Sequence, residues 1–572
     1  MKNQQVADIL YQIADLLDIK GDNFFKIRSY RLAAQTIEAM SDDIEVVAQE
    51  DKLLLIPGVG QALAKKIQEI VETGKLEFFE KLKKEIPEDL LKMLEISGLG
   101  PKKVASIYKN LGITTIEGLM KACNEGKLRS LEGFGEITEM NIIRGIQLKA
   151  KTSGRALISV AYADGNRYVE YLKGCKDIVR LSIAGSLRRK KETIGDLDIL
   201  ACSNNPDNVM DFFTKYSDVQ RVLLQGSTKT SVLLNDNLQV DLRVVEPKSF
   251  GAALQYFTGS KEHNVRMRSL AIKKGFKLNE YGLFDKKTEE YILGRDEEEI
   301  YKKLGLQFIE PELRENRGEV EVAAKKRLPN LVKYDDICGD LHVHSSWSDG
   351  FETIETMTNQ AKKLGYQYIG IADHSESLKV ARGLNKERVV KKIREIEKIN
   401  EKQNDGFRVF CGTECDIKPD GSLDYSDDVL EMFDYVGIGI HTKFKMTRKE
   451  ATERVTRGME NDYVTFIAHP TCRMIGHREA FDLDMDKIFE VARQTDTFLE
   501  VNSFPDRLDL NDIHCKQAKE NNVKIVINTD SHKSENLSFI HFGIATARRG
   551  WMEKKDILNT YTLKELERKL GV

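Results

Sequence analysis

The sequence predicts a multidomain chain of α+β and α/β class. It places helical domains at the N-terminus, a mixed α+β region in the middle, and a seven-stranded βα barrel at the C-terminus. Three observations carry this. The length of 572 residues corresponds to about four domains at roughly 150 residues each. The apolar period is helical up to about residue 151 and then becomes strand-like. Beyond residue 336, seven short apolar runs each end in a polar residue, and helix-compatible stretches separate most of them.

Composition bounds the function classes. With 41% hydrophobic and 31% charged residues and only 10 Pro, the chain is expected to be ordered and soluble, not intrinsically disordered. No apolar run approaches the roughly 18 residues of a membrane span. The opening MKNQQVADILYQIADLLD carries acidic residues inside its apolar pattern, unlike a secretory signal, so a cytoplasmic protein without membrane contact is expected. Eight Cys without a CxxC pair fit reduced thiols. The net charge of −3 hides a segregation. Residues 101–200 hold 18 Lys+Arg against 11 Asp+Glu, whereas residues 401–500 hold 13 against 21. Of ten His, only His263 precedes residue 340. The first half therefore has the cations of a polyanion binder, and the second has the ligands of a metal site.

Taken in order, residues 1–86 form one helical domain, with VADILYQIADLLDI and LAAQTIEAM at helical spacing, and residues 87–151 form another. IPGVGQALAKKI, ISGLGPKKVASI and LEGFGEITEMNI repeat an apolar-x-Gly-apolar-Gly turn before a helix. Gly58, Gly60, Gly98 and Gly100 of the first two copies allow a tight turn and offer N–H groups to a DNA phosphate. The alternative is a set of helix turns without a ligand. The three copies resemble helix-hairpin-helix motifs, which bind DNA backbone without reading sequence. Residues 152–250 bring the short runs LSIAG, DLDILA, VQRVLL, TSVLLN and LQVDLRVV, the last two joined as a hairpin at Asn235–Asn237. Residues 251–316 return to mixed helix and strand. Residues 317–335 read as a charged linker, and residues 336–572 as the barrel.

The first candidate site lies in AGSLRRKKETIGDLDILA, where Asp196 and Asp198 share one face of a strand. Paired carboxylates repel unless a divalent cation sits between them. Asp241 in LQVDLRVV adds a third carboxylate on a strand that can pair beside the first. Three carboxylates suit two metal ions for in-line phosphoryl transfer.

At this point the chain resembles the family X DNA polymerases, most specifically in YFTGSKEHNVRMRSLAIKKGFKLNEYGLF from Tyr256 to Phe284. The resemblance covers residues 1 to about 316 and implies a nucleotidyltransferase palm over 152–250 and a nucleotide-selection subdomain over 251–316. It implies Mg²⁺ or Mn²⁺ on Asp196, Asp198 and Asp241, and dNTPs as substrates. Ser186 and Arg189 would bind the β and γ phosphates, with Gly195 beside the nucleotide. Tyr256, Phe257 and Gly259 would form the wall beside the sugar, Asn264 would touch the base, and Arg268 would contact the template. Ala184 and Lys261 depart from the family's usual Gly and acidic residue. Residues 1–86 resemble the family's small lyase domain, with Lys66 at the Schiff-base position and Lys26 and Tyr30 at positions that grip a 5′ phosphate. Lyase activity and plain phosphate binding both fit, because Ala62 and Phe25 stand where further basic groups are usual.

The second candidate site begins with His342 and His344, two apart on a strand, and Asp349 in the loop that follows. His374, Glu414, His441, His469, Asp530 and His532 each fall at or just beyond the end of an apolar run, giving nine candidate ligands. Core histidines would have to recur at equivalent topological positions to explain this without metal. The set resembles the polymerase and histidinol phosphatase (PHP) domain. That implies a distorted βα barrel holding two or three Zn²⁺, Mn²⁺ or Fe²⁺ ions, Glu414 bridging metals, and hydrolysis of phosphate esters. Asp373 is expected to orient His374. His477, His514 and His541 fall outside the pattern.

Together the two halves resemble the bacterial family X DNA polymerases that carry a PHP domain. The resemblance implies a monomeric repair enzyme that fills short gaps in gapped or nicked duplex DNA and has 3′–5′ exonuclease or other end-processing activity. The alternative is a polymerase fused to a phosphatase for a small phosphomonoester.

Overall fold

The computed structural model describes residues 3–572 except 41–43, 57, 88, 95, 97–98, 137, 141, 144, 147–153 and 404. Gly98 therefore lies outside the described residues. The chain divides into two compact units, Met1–Ser153 with Ile475–Glu479, and Gly154–Met474 with Ala480–Val572. No helix among the described residues is long and apolar enough to cross a membrane.

The first unit is helical. Residues 1–86 and the described part of 87–151, expected as two domains, share one hydrophobic core: Leu10, Leu17 and Ile67 belong to the same cluster as Val104, Ile107 and Ile142. The reason is the first helix, Asn3–Lys20, whose buried residues recur around enough of its circumference to serve both sides. The helix starts follow local chemistry. The Asn23 side chain accepts from Phe25 N and the Thr115 side chain from Gly118 N, satisfying N–H groups that a helix leaves open.

The second unit opens with a five-stranded sheet, ordered Arg180–Ile183, Asp196–Cys202, Gln239–Val245, Lys229–Leu234, Val219–Gln225. Asp196–Cys202 and Gln239–Val245 run parallel with Asp198 opposite Asp241. Lys229–Leu234 and Gln239–Val245 form the expected hairpin, and Asn237 adopts φ +67° in its turn, a conformation Asn tolerates well. Helices Phe250–Thr258 and Lys261–Lys273 follow, then a small antiparallel sheet of Phe276–Asn279, Gly282–Asp285 and Tyr291–Leu293. Glu297 ties this region to the helix Gly185–Arg188 that follows the first strand of the sheet, pairing with Arg188 at 2.7 Å and, within its own region, with the fully buried Arg314.

Residues 317–335, expected as a linker, are packed. Helix Glu319–Ala324 buries Val320 and Ala323 against Tyr301 and Leu313, and Glu319 accepts from the backbone N–H groups of Asn316 and Arg317 at 2.9 and 2.6 Å. The high charge of the segment concealed one apolar face.

Seven parallel strands then follow in sequence order: Gly339–Val343, Tyr368–Ile371, Arg408–Asp416, Tyr435–Gly439, Val464–Ile467, Phe498–Asn502 and Ile525–Asn528. A parallel bridge between Val343 and Ser531 brings the last strand round to the first. One apolar cluster takes a residue from every strand, namely Leu341, Tyr368, Phe410, Tyr435, Phe466, Phe498 and Val526. These precede the polar ligands along each strand, so the barrel is filled toward its N-terminal end and its chemistry gathers at the C-terminal end.

Candidate active sites

In the palm, Asp196, Asp198 and Asp241 bring ligand atoms within 4.8 Å of one another, grading from exposed to buried. Burial, and then the neighbouring Asp196 and Asp241 carboxylates, push Asp198 up to about 7. Burial also opposes ionisation of Asp241, but hydrogen bonds from Lys229, Ser231 and Gln239 outweigh it and hold this carboxyl below its ordinary range. The two neighbours on one strand pair thus differ because only Asp241 has donors around it. Gly185, at φ +60°, closes against this centre, and a Cβ there would lie 2.9 Å from Asp198 Cγ.

Most of the expected nucleotide-binding residues fall on the short helix Gly185–Arg188 or its C-cap and on helices Phe250–Thr258 and Lys261–Lys273 or the turn between them. Ser186 begins the short helix after Gly185 and is half-buried. Arg189 pairs with Glu315 at 3.0 Å and donates to the Thr258 carbonyl, and Gly259 packs beside its guanidinium. Tyr256 and Phe257 are half-buried in edge-to-face contact at 5.1 Å, and Arg243 covers Phe257 at 4.3 Å. Asn264 is buried with its amide committed: Nδ2 donates to Tyr256 O at 2.6 Å, and Oδ1 accepts from Gln255 at 2.8 Å. These bonds hold the amide beside Tyr256 and leave its second N–H and second oxygen lone pair for another partner. Arg268 is half-buried on the Lys261–Lys273 helix, and Gly195 sits against Arg155.

In the helical unit, the three repeated turns are built alike. The backbone N–H groups of Val59, Leu99 and Phe134 donate to the carbonyls of Ile56, Ile96 and Leu131, and the carbonyls of Gly60, Gly100 and Gly135 accept the first helical bonds. Among the described residues, a Cβ on Gly60, Gly100 or Gly135 would meet nothing within 4 Å. At Gly58, which has φ +84°, a Cβ would press on Leu32. Lys66 donates to Tyr30 and lies 3.6 Å from the Phe78 ring centroid. Burial and then Lys26 press its pKa down. Lys26 itself is held by Asp22 at 2.8 Å.

At the barrel mouth all nine predicted ligands converge. Three groups have ligand atoms within 4.8 Å: His344, Asp349, His374 and His532; His342, His344 and Asp530; and His374, Glu414 and His441. His469 joins through Glu414 at 2.8 Å. Burial alone would raise Glu414, but His441, His342, His374 and His469 hold it well below the carboxylate range. Burial, with His532 and His374, pushes His344 down to about 4, the neutral state a metal needs. His344 Nδ1 and Asp349 Oδ1 are buried without a hydrogen-bond partner, as expected of donors left for a cation. Mixed imidazole and carboxylate donors fit the metals expected here. His469 and Asp530 hold positive φ, 31° and 55°, a backbone cost commonly found at functional residues. The side chains of Asp349, His532 and His441 remain 33%, 29% and 14% exposed, which marks the open side.

Several supporting residues escaped the sequence reading. Glu500 lies 2.8 Å from His342 Nδ1 and accepts from His469 N at 2.7 Å. Asp416 lies 3.2 Å from His441 Nδ1. Arg507 Nε lies 3.6 Å from Asp530. The signal for Glu500 was its place two residues before the end of the TFLEVN run, on the face shared with Asn502. Asp373, expected to orient His374, instead accepts from Ser345 N at 2.9 Å and Ser348 Oγ at 2.6 Å and pairs with Lys392 at 3.1 Å. It pins the loop that carries Asp349, because its carboxylate turns toward that loop.

These geometries agree with comparisons to known proteins. The family profiles that match are the helix-hairpin-helix domain over residues 1–76, the SAM-like helix-hairpin-helix tandem over 88–148, the DNA polymerase beta thumb over 253–315 and the PHP domain over 340–504. A Bacillus subtilis (strain 168) protein named DNA polymerase/3′-5′ exonuclease PolX is 39% identical over 569 residues, 99% of each chain. DNA polymerase lambda of Arabidopsis thaliana is 26% identical over 307 residues, covering 49% of this chain and 54% of its own. A probable phosphatase of Thermoanaerobacter sp. (strain X514) is 26% identical over 253 residues, 41% of this chain and 96% of its own. With the similarity running end to end, the chain belongs to the PolX family, the bacterial family X DNA polymerases with a C-terminal PHP domain.

Proposed function

We propose that the chain is a DNA polymerase that fills short gaps from dNTPs at Asp196, Asp198 and Asp241, and a 3′–5′ exonuclease at the barrel mouth. The observation that carries this reading is the presence of two separate ligand clusters in one chain that is similar over 99% of its length to a protein named for both activities. Mg²⁺ or Mn²⁺ in the palm and two or three Zn²⁺, Mn²⁺ or Fe²⁺ ions in the barrel suit the donor sets. Divalent cations, once bound, lower the pKa of the attacking hydroxyl or water and neutralise charge on the phosphate. The protein's own part is to position. Ser186 and Arg189 hold the triphosphate, and Arg189 must share or exchange Glu315 to do so. Tyr256 and Phe257 crowd the sugar. Arg507, 22% exposed beside Asp530, offers a charge to the ester. The repeated glycine turns carry duplex backbone, and Lys66, with its amine against Tyr30, is the lysine for a 5′-deoxyribose phosphate. We place the protein in the cytoplasm as a monomer.

A second reading, in which the barrel hydrolyses a small phosphomonoester, draws on the similarity to a probable phosphatase. Full-length protein with Mn²⁺, given a 3′-labelled gapped duplex or a generic phosphomonoester, separates the two. Shortening of the duplex and extension once dNTPs are added are expected. Release of phosphate from the small ester with an intact DNA end would replace the exonuclease assignment.

A further inference from the structure

Lined by no candidate ligand of either metal centre, a polar cavity of about 350 Å³ lies between the palm and the barrel. Six cations line it: Arg155, Lys190 and Lys191 from the palm, Arg317 from the segment that follows, and Arg473 and Arg549 from the barrel. Only two carboxylates share the lining, Glu192 and Asp512, leaving an excess of four positive charges. Both carboxylates are already engaged. Glu192 pairs with Arg473 at 2.8 Å, and Asp512 pairs with Arg549 at 2.6 Å and Arg317 at 3.1 Å.

The two lysines stand apart from these pairs. Among the described residues neither Lys190 nor Lys191 forms an ion pair, and the Lys190 ammonium lies instead 4.5 Å from the Tyr162 ring centroid. Among the described residues Arg317 Nη1 and Arg473 Nε are buried without a hydrogen-bond partner, although both guanidinium groups make ion pairs through other nitrogens. An arginine cannot relieve such a position by losing its proton, so its orphaned N–H groups stay costly until an acceptor arrives. Burial presses both lysines' pKa values down, and Arg549 adds to this at Lys191. Arg473 is also fixed from behind by the Leu508 carbonyl at 2.5 Å, so its free donor is held in place before any ligand binds.

Arg473, Arg317 and Arg549 share three carboxylates, Glu192, Asp512 and, just outside the lining, Glu315, which pairs with Arg549 at 3.0 Å. That leaves the two lysines of the lining without an ion pair among the described residues. We infer that this cavity is a binding site for a phosphate-bearing anion, with Lys191, Arg317 and Arg473 as its principal cations. Its volume is near the lower end of small-molecule sites, which suits a pyrophosphate or triphosphate chain. A backbone phosphate of DNA presents the same chemistry. The site uses no ligand of either metal centre and so goes beyond the proposed activities.

The test uses full-length protein freed of divalent metal and carrying Ser186→Ala, which weakens the palm cradle, and every comparison is made within this background. Pyrophosphate and a 5′-phosphorylated single-stranded oligonucleotide are titrated separately by calorimetry, with and without Lys191→Gln. Losing one charged donor should weaken pyrophosphate about tenfold. If only the oligonucleotide loses affinity by that factor, the phosphate is supplied by DNA and the site stands. Arg473→Lys, which keeps the charge but moves the donor, should act in the same direction, and it carries the test if Lys191→Gln does not fold. Unchanged affinity for both probes in a folded variant overturns the inference.

Discussion

Replacing Gly185 by Ala tests how the palm positions its metal ligands. The new Cβ would stand 2.9 Å from Asp198 Cγ and 3.0 Å from its Cβ, and closer still to a carboxylate oxygen. Ordinary contact between such carbons is roughly 3.5–4.0 Å, so the carboxylate must retreat by about 0.5–1 Å. A displacement of about 1 Å in a reacting assembly costs about 10²-fold in rate. The φ of +60° adds about 1–2 kcal/mol of backbone strain for a residue with a Cβ, small enough for the fold to survive. Single-nucleotide incorporation on a gapped duplex should therefore fall about 100-fold while release of 3′-terminal nucleotides by the same preparation stays within twofold or so. Incorporation at the wild-type rate would show that Asp198 is not held against Gly185 as described. An equal fall in both activities would show that the centres are not separate.

The other expectations concern the supporting network. Glu297 is held down at about 2 against its own burial by Arg314 and Arg188. A carboxyl whose folded pKa lies below its unfolded value stabilises above the unfolded value, and that contribution is lost as pH falls through the folded one. Glu297→Gln should lower stability by roughly 3 kcal/mol at pH 7, and the gap between its melting temperature and that of the wild type should narrow below about pH 4.5; a constant gap would refute the pairing. Glu500→Gln should weaken barrel metal binding about 10–100-fold in chelator competition, whereas unchanged retention would leave Glu500 without a role in orienting His342. Lys66→Ala should abolish borohydride trapping on a 5′-deoxyribose phosphate, and persistent trapping would assign that chemistry to another lysine.

Much of the site was legible because it obeys short-range rules. Asp196 and Asp198 share a strand face by the period of two, and the run around Asp241 had the composition of a neighbouring strand, which the register then placed opposite Asp198. The nine barrel ligands fall at strand ends, where parallel topology gathers them. What stayed hidden depends on side-chain direction or on distance along the chain. Asp373 adjoins His374, yet turns toward the loop that carries Asp349. Glu500 looked like part of an apolar run because it is wholly buried against His342. The merging of residues 1–86 and the described part of 87–151 into one core depends on the faces of helix Asn3–Lys20, which a domain count cannot see. The cationic cavity joins Lys191 to Arg473 and Arg549, hundreds of residues later.

The central claim is that two metal centres in one chain perform two chemistries. Its most direct test compares Asp198→Asn and His344→Ala, both full-length and verified as folded, on one labelled gapped duplex with and without dNTPs. Asp198→Asn should lose nucleotide addition and keep hydrolysis, and His344→Ala should do the reverse, because the palm and barrel ligand groups have no residue in common. Loss of both activities in either variant, or of neither, would contradict it.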